Sequence, residues 1–181
     1  MWVFYGLPFI KSDSILVSTI NGVGFVIEFF YVLTFILYSD GSKRRKIWLA
    51  LFLEALLFTI LVVVTLLVLH GKKRSMPVGI LCLIFNICMY FSPLTVMSRV
   101  IKTKSVKYMP FYLSLANFAN GSIWFIYAFL KFDPFVLIPN GLGAVSGLLQ
   151  LALYAYYYRQ TNWDDDDKLP EFQLSDNSAR V

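Results

Sequence analysis

Charge is what this sequence has least of. Asp, Glu, Lys and Arg together make up 15% of its 181 residues, and histidine occurs once, at His70 in a loop. So few ionisable side chains cannot clothe a soluble domain, and a 58% hydrophobic content gives a mean hydropathy of +0.66. A soluble fold of this size would have to bury several all-apolar helices, each of about 20 residues or more, which it cannot do. Cysteine is scarce too. Cys82 and Cys88 stand in one apolar run and read as small buried hydrophobes, which excludes a disulfide framework. No metal-ligand spacing, nucleophile elbow or phosphate-cradling loop occurs, so neither an enzyme, a cofactor nor a metal site is expected. No charged leader precedes the first apolar segment, so no signal peptide is expected. The net charge of +5 lies largely in loops between apolar runs, where it reports membrane topology and argues against a nucleic-acid partner.

What the chain does have is length in its apolar runs. Residues 15–38, 47–69, 76–98, 110–130 and 134–158 are 21 to 25 residues long, enough for a hydrocarbon core of about 30 Å with some tilt. They predict an all-α polytopic membrane protein with five full spans. Residues 1–10 are too short to span and read as the end of a helix. Basic loops are expected at 39–46, 70–75 and 99–109. Lys43, Arg44, Arg45, Lys46, Arg99, Lys102, Lys104, Lys107 and Arg159 fall on one side, nine cations in all. Lys11, Lys72, Lys73, Arg74 and Lys131 fall on the other, five in all, so the C-terminus is expected in the cytoplasm. Beyond Arg159 the chain turns polar, and Asp164 to Asp167 predict a disordered acidic cytoplasmic tail over 159–181.

Two stretches repeat. Trp2 to Gly24 and Trp124 to Gly143 both hold Trp-x-x-Tyr, a loop with Lys-x-Asp (Lys11 to Asp13, Lys131 to Asp133) and Asn-Gly-x-Gly. If each is helix, turn and helix, Trp124 lies seven residues before Lys131 and Asn140 seven after Asp133. At 1.5 Å rise per residue, both then sit about 10 Å below the turn. The first copy matches this with Trp2 and Asn21. A lone membrane asparagine is usually interhelical glue, but an indole and a carboxamide duplicated at matched depth point to a site on a pseudo-two-fold axis. Three spans separate the Trp2 and Trp124 helices, so the two point the same way and the repeats are parallel. The span 47–69 has no partner and serves as the linker that restores parity. The organisation predicted is therefore a partial first three-helix repeat (1–38), a linker helix with flanking loops (39–75), a second three-helix repeat (76–158) and the tail. By symmetry the first helix and most of the second are missing, about fifty residues on the pattern of the second repeat. Gly22, Gly24, Gly141 and Gly143 are expected to serve close helix packing. Glu28 and Glu54 have no counterparts across the repeat, which argues against ion coupling.

This organisation, with Tyr5-Gly-Leu-Pro-Phe, Leu16-Val-Ser-Thr-Ile-Asn-Gly, Met89-Tyr-Phe-Ser-Pro-Leu, Lys102-Thr-Lys-Ser-Val, Met109-Pro-Phe and Asp133-Pro-Phe-Val-Leu-Ile-Pro-Asn-Gly, resembles the plant SWEET sugar transporters over nearly all of 5–158. The resemblance implies a plasma-membrane uniporter that moves a sugar, a hexose such as glucose, in both directions by alternating access. It implies that Asn21 and Asn140 hydrogen-bond sugar hydroxyls, that Trp124 stacks on the ring and that Trp2 takes the symmetry-related place. It further implies that Tyr5 and Asp133 close the extracellular gate, and that Pro93 and Pro110 are half of a proline tetrad hinging the cytoplasmic side. Association with further copies or with other sugar transporters is also expected. A second reading, of another class, is a truncated subunit that transports nothing itself and modulates complete transporters.

Overall fold

The computed structural model describes residues 1–163. Among these the chain is helical throughout, as α1 (Trp2–Tyr5), α2 (Ile15–Tyr38), α3 (Gly41–Val63), α4 (Ser75–Met89), α5 (Phe91–Thr103), α6 (Phe111–Lys131) and α7 (Pro134–Tyr157). Five stretches, Ile15–Tyr38, Gly41–Val68, Ser75–Thr103, Phe111–Lys131 and Pro134–Gln160, are long and apolar enough to cross a membrane. Large apolar side chains such as Phe25, Phe29 and Phe52 stand exposed on their surfaces, as expected where lipid replaces water as solvent. Cys82 is buried as expected, whereas Cys88 is exposed on such a surface, where a small thiol costs little.

The span ends differ from the expected ones where basic residues flank them. Helix α3 starts at Gly41, so Lys43 to Lys46 are helical. The Asp40 carbonyl accepts Arg44 N–H at 2.8 Å, the Asp40 carboxylate pairs with Lys43 at 3.4 Å, and Arg44 reaches Ser39 O at 3.1 Å. Helix formation satisfies these backbone groups, while the long cationic side chains can still reach water. Beyond α3 a wider π-type turn covers Val64–Val68, and Arg74 donates to Leu69 O at 2.9 Å and Leu66 O at 3.2 Å, so a side chain caps the last carbonyls. The expected 70–75 loop is largely a 3₁₀ turn, Gly71–Arg74. The third span runs on to Thr103 and breaks at Tyr90. Pro93 has no N–H for Met89 O, so the helix restarts at Phe91, where the first amides lack intrahelical partners anyway.

By packing, the chain divides into two compact units, Met1–Cys88 with Lys131–Pro139, and Met89–Leu130 with the chain from Asn140 onward. In the first unit α1 lies on the start of α2. A Cβ on Gly6 would stand 2.6 Å from Ser18 N and 2.7 Å from Ser14 O, and Ser18 Oγ donates to Val3 O at 2.6 Å. Phe4 meets Phe58 of α3 edge-on at 5.7 Å, and the Phe135 ring fills the space a side chain at Gly79 would need.

The second unit is built on a close α6–α7 pair. A Cβ on Gly121 would lie 2.6 Å from Ala144 N, and one on Gly147 would lie 2.7 Å from Phe118 Cα. Gly141 faces the Phe125 ring, and Tyr90 Oη abuts Gly143. The expected packing role thus holds for Gly141 and Gly143. It does not hold for Gly22 and Gly24, where an added Cβ meets nothing within 4 Å because no neighbour among the described residues covers that face of α2. At one end of the unit Met97, Val100, Val106 and Met109 form a buried cluster against Leu153, Tyr154 and Tyr157. There Val106 N–H donates to Thr161 Oγ at 2.9 Å, and Thr161 donates to Tyr157 O at 3.0 Å. The tail expected from residue 159 is therefore ordered through Trp163, and the acidic run 164–167 lies outside the described residues.

These contacts give a stability contrast. Gly147→Ala should lower the melting temperature of the detergent-solubilised protein, by an overpacking cost of about 1–3 kcal/mol, because the methyl meets backbone and not a movable side chain. Gly22→Ala should leave the melting temperature unchanged or raise it slightly. Equal melting temperatures for the two variants would contradict this packing.

Candidate functional site

The repeated Trp-x-x-Tyr places its two rings one helical turn apart on one face, where they meet edge to face. In the first copy Trp2 and Tyr5 have ring centroids 5.4 Å apart at 86°, and in the second Trp124 and Tyr127 are 5.5 Å apart at 88°. Such pairing fixes the plane of an indole before any ligand arrives. Both Trp2 and Trp124 are half-buried.

In the first unit the turn after α6 brings Asp133 to Tyr5. Lys131 ends α6, Phe132 adopts a left-handed backbone at φ 52°, and Pro134 opens α7. Proline suits that first helical position because its missing N–H would have no partner there. Asp133 is thereby the N-cap of α7. Its Oδ1 accepts Phe135 N–H at 3.2 Å and its carbonyl accepts Leu137 N–H at 2.9 Å. The same carboxylate receives the Tyr5 hydroxyl, 2.9 Å from both Oδ1 and Oδ2. Lys11 Nζ approaches Oδ2 at 3.6 Å and sits 5.9 Å from the centre of the Tyr5 ring. Tyr5 is fully buried and Asp133 is 2% exposed, so a carboxylate in an apolar setting is held by a hydroxyl, an ammonium and a helix N-terminus together. Asp13, its counterpart in the first copy, is exposed, with φ at 58°.

The two asparagines lie in different environments. In the first unit Asn21 is half-buried on α2 and donates through Nδ2 to Val17 O at 2.9 Å, which leaves the rest of its amide for other partners. In the second unit Asn140 is 9% exposed on α7, directly after Pro139 inside that helix. A Cβ on Gly121 would be 3.0 Å from Asn140 O, and Phe125 packs on Gly141, so Trp124 occupies the turn of α6 level with Asn140. The matched depth expected of Trp124 and Asn140 is therefore realised within this unit. Pro93 lies in the first turn of α5, just past the break at Tyr90, and Pro110 immediately precedes α6, where its carbonyl accepts Ser114 N–H at 3.2 Å. No group of three or more His, Cys, Asp or Glu side chains gathers among the described residues.

Lys11 was not among the residues singled out from the sequence, although the repeated Lys-x-Asp held the signal. Its partner lies on the other copy's loop, and spacing along one copy cannot reveal that.

A family model described as "Sugar efflux transporter for intercellular exchange" matches residues 1–43 and 76–162, two stretches that flank most of α3. The chain is 56% identical over 176 residues to the bidirectional sugar transporter SWEET5 of Arabidopsis thaliana, which covers 97% of this chain and 73% of that protein. It is 55% identical over 191 residues to SWEET4 of the same plant, covering 100% of this chain and 76% of that one. A solved structure of a eukaryotic SWEET transporter superposes with a TM-score of 0.84 at 38% identity, over 87% of this chain and 74% of its own. The matched stretches include both copies of the repeat, and the chain belongs to the SWEET family of sugar efflux transporters, a family of carriers and not of enzymes.

Proposed function

We propose that this protein is a bidirectional uniporter for a small neutral sugar, a hexose such as glucose, working by alternating access without a cofactor or a coupled ion. The observation that carries this reading is the repeat, with two Trp-Tyr pairs of the same geometry and two Asn-Gly-x-Gly helices, in a chain of this family. A sugar offers hydroxyls that both donate and accept, and a carboxamide answers both. Asn21 and Asn140 are assigned to those hydroxyls, Trp124 to the apolar face of the ring, and Trp2 to the equivalent place in the first copy. The bulk of Trp124 favours a monosaccharide over a disaccharide.

Tyr5 and Asp133 are the closing pair of the extracellular side. Separating them breaks a charge-assisted hydrogen bond with a net value of about 1.5–3 kcal/mol, large enough to hold a closed state and small enough to yield on a transport timescale. Pro93 and Pro110 are the hinges of the cytoplasmic side, a reading supported by the helix break at Tyr90 and by the start of α6 directly after Pro110. The excess of Lys and Arg on the 39–46 and 99–109 side supports a cytoplasmic C-terminus. The plasma membrane is the membrane proposed, and association with further copies completes the reading.

Two substitutions test it by glucose counterflow in proteoliposomes. Asn140→Ala should abolish flux while the protein remains folded and monodisperse, and normal flux in that variant would sink the site assignment. Tyr5→Phe keeps the ring but removes the hydroxyl, so it weakens the outside-closed state by one charge-assisted bond and should change the exchange rate by about tenfold. An unchanged rate would separate the Tyr5–Asp133 contact from gating.

A further inference from the structure

Within the second unit Ser114 and Gln150, both buried, join α6 to α7 with the half-buried Ser146 beside them, and none of the three is assigned to the sugar. Ser114, 1% exposed, lies four residues after Pro110, and Gln150, 6% exposed, faces it from α7. Ser114 Oγ stands 3.1 Å from Gln150 Oε1 and 3.3 Å from Pro110 O, and Gln150 Nε2 donates to Ser146 Oγ at 3.4 Å. Buried polar side chains inside a membrane-spanning pair are costly unless bonded, so their arrangement carries information.

A serine hydroxyl has a single proton, and here two acceptors lie within reach of it. In one arrangement the proton goes to Gln150 Oε1, and Pro110 O keeps only the Ser114 N–H. Turning the Gln150 amide end for end gives a second arrangement that uses the same three side chains. Nε2 then donates to Ser114 Oγ, the hydroxyl proton goes to Pro110 O, and the Ser146 hydroxyl donates to Oε1. The two arrangements differ in whether Ser114 grips the proline carbonyl through its side chain as well as its N–H. Bonding of that kind to a carbonyl one turn back bends a helix. One turn further along, α6 cannot move freely, because Gly147 brings α7 against the Phe118 backbone. Between Pro110 and Phe118, α6 meets α7 through the Ser114–Gln150 contact and through the Phe111 ring, 5.3 Å from that of Tyr154.

We infer that Gln150 is a positioning residue for the Pro110 hinge: through Ser114 it sets the conformation of the first turn of α6, and with it the rate at which the cytoplasmic side opens, without touching the sugar. This rests on the transporter reading above. The test compares the parent chain with Gln150→Met, Ser114→Ala and the double variant in proteoliposomes, measuring the equilibrium Kd for glucose, the glucose counterflow rate, and hydrogen exchange of the amides at 114–117. The Kd should stay constant while each single variant alters the rate by about three- to tenfold, the range that one interhelix hydrogen bond in a membrane commands. The double variant should match the larger single effect, since both act through one bond. Exchange at 114–117 should rise, while exchange in α6 beyond Phe118 should not.

A Kd that moves with the rate, additive losses, an unchanged rate or unchanged exchange at 114–117 would each overturn the inference. Should Gln150→Met fail to fold, Ser114→Ala, which removes only a hydroxyl, carries the same expectations. If the parent chain neither binds nor moves glucose, the transporter reading fails instead, and the exchange measurement alone decides whether Gln150 holds the start of α6.

Discussion

A carboxylate buried among apolar side chains must be answered on every side, and Asp133 is answered by three different kinds of group. Its backbone position makes it the cap of α7, its charge attracts Lys11, and the Tyr5 hydroxyl lies against both of its oxygens. The requirement reaches far along the chain. The contact of Asp133 with Tyr5 joins α1 to a loop 128 residues away, where Phe132 is left-handed and Pro134 opens α7. Replacing such a group with an apolar one would be cheaper for stability alone.

The other half of the design is the opposite of polar. Helices α6 and α7 approach so closely at Gly121 and Gly147 that backbone meets backbone, and Phe125 lies on Gly141. Without a hydrophobic drive between helices in lipid, small residues and tight van der Waals contact hold such a pair. That rigidity gives Trp124 and Asn140 a fixed relation on neighbouring turns. Among the described residues the first copy has no matching contact at Gly22 or Gly24, so the two copies share their ring geometry but not their packing.

Much of this could be read from the sequence, for physical reasons that also explain the rest. Five apolar runs of bilayer length admit few structures other than five helices, and the repeat of Trp, Tyr and Asn could be seen because identical residues recur at related spacings. The break at Tyr90 follows from Pro93. Span ends were displaced because a basic segment such as 43–46 can be helical while its side chains still reach water, and composition alone does not tell a helical end from a loop. The Tyr5–Asp133 contact was expected only through the family resemblance, since no periodicity links α1 to a distant turn. Ser114 and Gln150 gave no signal as sites, because a polar residue in an apolar run shows its partner only once the helices are packed, and the repeated Lys-x-Asp could not show that Lys11 pairs with the other copy's loop.

We propose that Asn21 and Asn140 both bind the transported sugar. Equilibrium binding of radiolabelled glucose to the purified chain tests it most directly. One saturable sugar per chain is predicted, with binding lost in Asn21→Ala and in Asn140→Ala alike. Two sugars per chain, or binding that survives either substitution unchanged, would contradict it.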